Sequence, residues 1–464
     1  MLVFAIAIHT PQDPDTWWHL RSAEHTLTQG IIRQDPFSFT RAGEDWLNHS
    51  WGGQLLLWAA WKAGGDPGLA LFTASLAVLG MMVVGRMLAA TAANAHLRAY
   101  LLVFCALTAS VFWSARPQML SFCFSAMTLW FLRRGGQGRW FLPLLFILWA
   151  NVHAGFAVGL LYLTISALAS GYDAFTNRWR LPRVRASHWL LLIAACLIAL
   201  CLNPYGAELL LIPLRTLTLS ELHTSIREWQ TPNLHQPTTW PFLCMLALTL
   251  SSLALSRRRP PSSEVFVITA TTLMALWAGR HIALFALAAT PTLGAQLAAL
   301  PLPRRWRLPP PPRMSAARGW AHLVLVTLLG LGVALYTSAS LAEERIEEIQ
   351  SAQFPVAAVQ HLRETQPAGP LFHTYEWGGY LLWHAPNYPS FIDGRTLLFG
   401  DELLAAYRRA ANGDDWSALF QQHQIRLVLI RRNSGLDRSL RRLPLDWERR
   451  HLDETAVLYA RREG

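Results

Sequence analysis

The chain predicts a polytopic α-helical membrane protein of about eleven transmembrane helices, followed by a small C-terminal α/β domain outside the membrane. Three observations lead there. Of 464 residues, 52% are hydrophobic and only 15% charged, whereas soluble domains carry closer to a quarter charged. The apolar residues gather into uncharged runs of spanning length, separated by Arg-rich punctuation, as far as about Leu341. From Glu343 onward the composition turns charge-balanced, with short β-like and helical runs alternating. The net charge of +11 is nearly all arginine, but the clusters sit in short loops between apolar runs. That placement makes them topology signals and argues against a nucleic-acid partner. The five cysteines all lie inside apolar runs and indicate neither a disulfide framework nor a metal site.

Taken in order, Met1 to Ile8 is apolar but shorter than the ~20 residues of a span, so the first helix reads as truncated or the start as late. No basic region or small-residue cleavage site marks a signal peptide there. A polar opening loop, residues 11–51, follows. Spans are expected over Leu69–Val84, Tyr100–Trp113, Pro117–Leu132, Trp140–Tyr172, Ala186–Leu202, Trp240–Leu255, Val265–Gly279, Ile282–Leu300 and Ala321–Ala339. The double-length run at Trp140 breaks most naturally at Asn151–Gly155. The expected domains are therefore 1–341 in the membrane and 342–464 outside it.

Arginine clusters occupy every second loop: Arg133, Arg134 and Arg139, then Arg178 to Arg185, then Arg257 to Arg259, then Arg304 to Arg313. By the positive-inside rule these face the cytoplasm. The opening loop, the Arg116, Asn151 and Arg280 turns, and the loop Asn203–Gln236 then face outward, as does the C-terminal domain. In that domain β-like runs are Leu371–Tyr375, Ser390–Asp393, Arg426–Arg431 and Ala456–Ala460; helical runs are Pro355–Glu364, Glu402–Ala411 and Asp415–His423.

The outward polar residues are the candidates for chemistry. Arg116, His153, Arg280 and His281 lie flush against apolar runs, where an ionisable group is costly and usually faces a water-filled cavity or a functional partner. Glu228 joins them from the loop after Asn203. For Asp13 and Asp15, two readings stand. Asp15 caps a helix Thr16–Gln29, or one carboxylate is a general base, with the other acid or His19 setting its pKa or holding a divalent cation, Mg or Mn. Trp17 and Trp18 read first as interface anchors and second as a sugar-stacking platform. His49, where the loop returns to the membrane, is expected near the acids. Asp393 and Arg395 follow a β-like run and are either functional side chains at a strand end or the two halves of an ion-paired turn.

The phrases DPDTWWHL, QDPFSFT, WLNHSW, ARPQMLSF, WANVHAGF, NPYG, REWQTP, GRHIALFAL, YEWGGYLLW and FIDGRT, over nearly the whole chain, resemble a bacterial branch of the GT-C superfamily of integral membrane glycosyltransferases. The resemblance implies a sugar donor linked to polyprenyl phosphate and a glycan, lipid or protein acceptor. It implies a location in the bacterial inner membrane and a catalytic Asp in the first outward loop. By motif position that Asp is Asp15, although Asp13 stands where some members carry His, so the choice between the two stays open. The acid would deprotonate the acceptor hydroxyl, and Arg116, Arg280, His281 or Arg395 would neutralise the departing phosphate. The WGGY run lacks the Asp of the oligosaccharyltransferase motif it echoes, so peptide recognition is not implied. Two other function classes compete: a transporter or flippase for lipid-linked glycans, and a non-catalytic envelope scaffold.

Overall fold

The computed structural model describes residues 1–176, 186–301 and 315–462. The expected cytoplasmic clusters Arg178 to Arg185 and Arg304 to Arg313 lie outside the described residues. The chain divides into two compact units. The first comprises Met1–His9, Ala70–Leu210 and Ile226–Ser340, and the second Thr10–Leu69, Leu211–Ser225 and Leu341–Gly464. The opening loop thus belongs with the C-terminal segment rather than with the apolar helices.

Among the described residues six helical stretches are long and apolar enough to cross a membrane: Trp51–Ala89, Ala95–Phe112, Phe156–Thr176, Pro237–Leu255, Gly279–Ala298 and Ala316–Ser340. Ala186–Leu200 and Ser262–Trp277 are shorter apolar helices. The protein is therefore a polytopic α-helical membrane protein; the described residues hold these six long spans and two shorter apolar helices, against about eleven helices expected. As expected, the run Trp140–Tyr172 is cut near Asn151–Gly155, into Leu142–Val152 and Phe156–Thr176, where His153 turns extended at φ −172° and ψ 144°. In Trp51–Ala89 the helix is broken at Gly64 and Gly65, the latter with φ +57°, and Pro67 follows in the next turn.

The first unit is built around the helix Ile282–Ala298, every residue of which from Ile282 to Gln296 is buried. Helices Ala95–Ala109, Trp240–Leu255 and Ser262–Trp277 pack on it, with Phe242 and Phe285 edge to face at 5.3 Å. Arg133, in the last turn of Gln118–Arg134, meets Glu264, in the first turn of Ser262–Trp277, at 3.0 Å. Each charge lies at the helix end whose dipole favours it.

The second unit carries a four-stranded sheet of order β1-β2-β4-β3. β1 (Leu371–His373) and β2 (Leu427–Arg431) are parallel; β4 (Ala456–Arg461) runs antiparallel to β2 and to β3 (Trp447–Leu452). The run Ser390–Asp393, expected as a strand, makes only an isolated bridge, Ser38 to Ser390. Its partner comes from the opening loop: Phe39 N–H donates to Ser390 O at 3.1 Å and Ser390 N–H to Phe37 O at 2.9 Å. The core of this unit joins Phe37 and Trp46 of that loop to Phe372, Phe391, Tyr407 and Trp447. Burial of such aromatic surface, at roughly 25 cal/mol per Å², is what secures the loop to the sheet.

Candidate functional site

The sequence-predicted residues fall into two groups, one in each unit. In the second unit, helix Asp15–Gln29 starts one residue earlier than expected, with Pro14 at the N-cap. The turn is closed by Asp13, whose Oδ1 accepts the Asp15 N–H at 3.0 Å. Asp13 thus takes the local role that the sequence suggests for Asp15. The Asp15 carboxylate lies against the backbone of Gly394: a Cβ built there would stand 1.8 Å from Asp15 Oδ1 and 2.8 Å from Trp18 Nε1.

Trp17 and Trp18, expected as membrane anchors, are 2% and 5% exposed within the second unit. Trp17 meets Phe354, Tyr380 and His384 edge to face at 6.0, 5.5 and 4.9 Å, and Trp18 packs edge-on against Trp46 at 6.2 Å. The cause is a surface made ready for them by the Tyr-Glu-Trp-Gly-Gly-Tyr run. A Cβ on Gly379 would fall 2.6 Å from Pro14 O, and one on Gly378 would fall 2.4 Å from Ile392 O. The two glycines let helix Gly378–His384 approach the backbone on both sides.

His19 is buried and linked through Nδ1 to Gln54 Nε2 at 3.2 Å, and Gln54 is paired in both directions with Asn48 at 2.7 and 2.8 Å. His49, next in sequence to Asn48, is half-buried. Asp393 and Arg395 are fully buried and form a bidentate pair at 2.8 and 2.7 Å, and the Arg395 N–H also donates to Asp393 Oδ1 at 3.0 Å. Arg395 Nη1 reaches a second buried carboxylate, Asp35. Asp35 in turn accepts the backbone N–H groups of Phe37 and Ser38, both at 3.1 Å. The guanidinium is flanked by Trp46 at 4.9 Å and Phe37 at 5.3 Å. Burial opposes ionisation of Asp393, and the adjoining Arg395 overcomes it, holding the carboxyl below the usual range. Of the two readings of Asp393 and Arg395, the structure shows the ion-paired turn, and Arg395 is engaged with these two carboxylates. Asp35, in the QDPFSFT phrase, is among the outward polar residues of the sequence; its pairing with Arg395, 360 positions on, is what the sequence does not reveal.

In the first unit, Arg116 Nη1 and Arg280 Nη1 donate to the two oxygens of Glu228 at 3.2 and 3.1 Å. Arg280 also stacks over Trp229 at 4.3 Å. Burial works against the Glu228 charge, but the two guanidinium groups outweigh it and hold the carboxyl below its ordinary pKa. The three side chains sum to one net positive charge. His281 Nδ1 bonds Met274 O at 3.1 Å. His153 Nδ1 lies within reach of Ser121 Oγ at 2.8 Å and of the Gly155 N–H at 3.0 Å. The structure therefore gathers Arg116, Glu228 and Arg280 from three separate loops, a convergence that spacing alone does not reveal.

Among the described residues no three metal-ligating side chains cluster. Asp13 and Asp15 are a sparse pair for a divalent cation, which takes six or more oxygen ligands, and Asp13 Oδ1 already accepts a backbone N–H.

No protein-family model matches the chain, and no curated protein matches it in sequence. Solved structures do match. The archaeal oligosaccharyltransferase AglB from Archaeoglobus fulgidus, in complex with an inhibitory peptide and a dolichol-phosphate, is 11% identical over 92% of this chain, with a TM-score of 0.56. The chain spans 66% of that protein's length. An oligosaccharyltransferase of the same organism in the apo form is 12% identical over 93% of this chain and 68% of its own, with a TM-score of 0.50. ArnT from Cupriavidus metallidurans in the apo state is 13% identical over 99% of this chain and 95% of its own, with a TM-score of 0.48. The chain therefore shares the fold of these archaeal oligosaccharyltransferases.

Proposed function

We propose that the protein is a membrane glycosyltransferase that moves a sugar from a polyprenyl-phosphate-linked donor to an acceptor hydroxyl on the outer face of the bacterial inner membrane, with the C-terminal domain extracytoplasmic. The observation that carries this reading is the fold shared with AglB, which was solved with a dolichol-phosphate. Of the two acids, Asp15 is the proposed general base. Asp13 is committed through Oδ1 to closing the turn, while the Asp15 carboxylate is the group set against Gly394. Asp15 takes the proton of the acceptor hydroxyl as its oxygen attacks the anomeric carbon, and the bond to the lipid phosphate breaks with its electron pair leaving on the phosphate oxygen. Within the first unit, Arg116 and Arg280 carry chemistry that suits a lipid phosphate. Guanidinium forks match phosphate oxygens, and the cluster with Glu228 retains a net positive charge. Glu228 keeps the two arginines together, and His281 and His153 line the same outward-facing set of turns. A divalent cation remains part of the proposal only as an addition that would have to bring water ligands with it.

The test is transfer from a panel of polyprenyl-phosphate sugars by the full-length protein in lipid nanodiscs. Asp15→Asn is expected to lower kcat by at least about 100-fold, with Asp13→Asn acting more weakly. Transfer undiminished in both variants would overturn the mechanism. Arg116→Ala and Arg280→Ala should each raise the donor KM, by about 10- to 100-fold for a lost charge-assisted contact worth about 1.5–3 kcal/mol. An unchanged KM in both would remove the phosphate role from the cluster.

A further inference from the structure

We infer that Gly394 is a positioning residue for the Asp15 carboxylate, held in place by the flanking Asp393–Arg395–Asp35 clasp; this rests on the reading of Asp15 as the base. Gly394 is not in the left-handed backbone region, so the demand for glycine there is one of space, not of φ. A Cβ at 394 would stand 1.8 Å from Asp15 Oδ1 and 2.7 Å from its Cγ, closer than real Cβ contacts allow. Any side chain therefore drives the carboxylate away by about 1 Å, a misplacement able to cost about 100-fold in rate.

The neighbours of Gly394 cannot move aside to relieve it. Asp393 and Arg395 are joined to each other by three hydrogen bonds and to Asp35 by a fourth, and all three side chains are fully buried. On the far side, Trp18 closes the pocket: its buried Nε1 has no hydrogen-bond partner among the described residues and lies 2.8 Å from the same point in space. Helix Asp15–Gln29 is seated in turn by Gly379, whose absent Cβ leaves room for Pro14 O. The Ile-Asp-Gly-Arg segment thus divides its labour. Asp393 and Arg395 fix the backbone, and Gly394 supplies the surface on which Asp15 rests.

The experiment uses the full chain in nanodiscs with Gly394→Ala, Asp15→Ala and the double variant. Thermal unfolding forms a double-mutant cycle. Gly394→Ala is expected to lower Tm in the wild-type background, with at least half of that loss disappearing when residue 15 is alanine. An equal loss in both backgrounds, or none in either, overturns the inference. Coupling of carboxylates to an amine by a carbodiimide, mapped by mass spectrometry, gives an independent readout: Gly394→Ala should raise labelling of Asp15 severalfold against Asp13. Unchanged labelling overturns it as well. With a transferring polyprenyl-phosphate sugar as probe, Gly394→Ala should lower kcat about 100-fold at unchanged donor KM. A kcat equal to wild type would refute the positioning role. If the wild-type chain transfers none of the donors, the reading of Asp15 as base fails, while unfolding and labelling still decide whether Gly394 holds it.

Discussion

Arg395 shows how one side chain can be settled by its partners. Two carboxylates converge on it in a fully buried setting, and its planar fork satisfies Asp393 in bidentate fashion while a third nitrogen reaches Asp35. Removing the cation leaves two buried negative charges, the costly half of a broken ion pair. Arg395→Met is therefore expected to destabilise the protein by about 3–5 kcal/mol, read as a fall in Tm or denaturant midpoint. Arg395→Lys should recover only part of it, because an ammonium cannot reproduce the fork. A variant as stable as wild type would show that the clasp contributes nothing. His373 offers a pH readout. Burial, eased slightly by its bonds, pushes it down to about 4, and its two nitrogens are committed: Nε2 accepts the Phe391 N–H at 3.1 Å and Nδ1 donates to Thr374 O at 3.0 Å. The folded value lies below the usual 6.5, so the unfolded chain binds the proton first. Stability is then complete above pH 6.5 and falls as pH drops toward 4, by on the order of 1 kcal/mol per pH unit. His384, also pushed down to about 4, by burial and then by Arg363, adds to this slope. His373→Asn should shallow the slope of Tm against pH over that range, and an unaltered slope would discount His373 as its source.

At the scale of elements, the glycine pair in Gly378–His384 decides how helix Asp15–Gln29 is held. Gly379→Leu places a side chain where Pro14 O and Trp18 stand, so both helices must part and the ring contacts of Trp17 with Tyr380 and Phe354 open. Overpacking of this kind typically costs about 1–3 kcal/mol, and proteolysis of the opening loop under native conditions should accelerate accordingly. Resistance equal to wild type would show that the loop is retained by other contacts. Helix types were largely legible in the sequence here. Pro355–Glu364 was expected and Val356–Thr365 is found; Asp415–His423 was expected and Trp416–Gln422 is found. The third strand, Trp447–Leu452, escaped notice because its alternation is masked by Glu448, Arg449 and Arg450 on an exposed edge. Ser390–Asp393 has strand-like composition, but its pairing partner is a loop residue some 350 positions earlier, beyond the reach of any local pattern.

For the whole molecule, the arginine pattern carries a prediction about sidedness. The positive-inside rule puts the Arg133–Arg139 and Arg257–Arg259 loops in the cytoplasm and the C-terminal unit outside. A C-terminal alkaline phosphatase fusion should then be active in a bacterial host and a C-terminal green fluorescent protein fusion dark; the reverse pattern would invert the topology. The sequence by itself determined the membrane class, the alternation of loops and the residues worth watching, because hydrophobic run length and charge are properties of the chain alone. Only the tertiary structure decided what those residues touch. It buried Trp17 and Trp18 in a protein core, gave Arg395 to Asp35, and laid Asp15 against Gly394. These are contacts between segments hundreds of residues apart, and their energies come from packing and desolvation at the place where the segments meet, which no stretch of sequence contains.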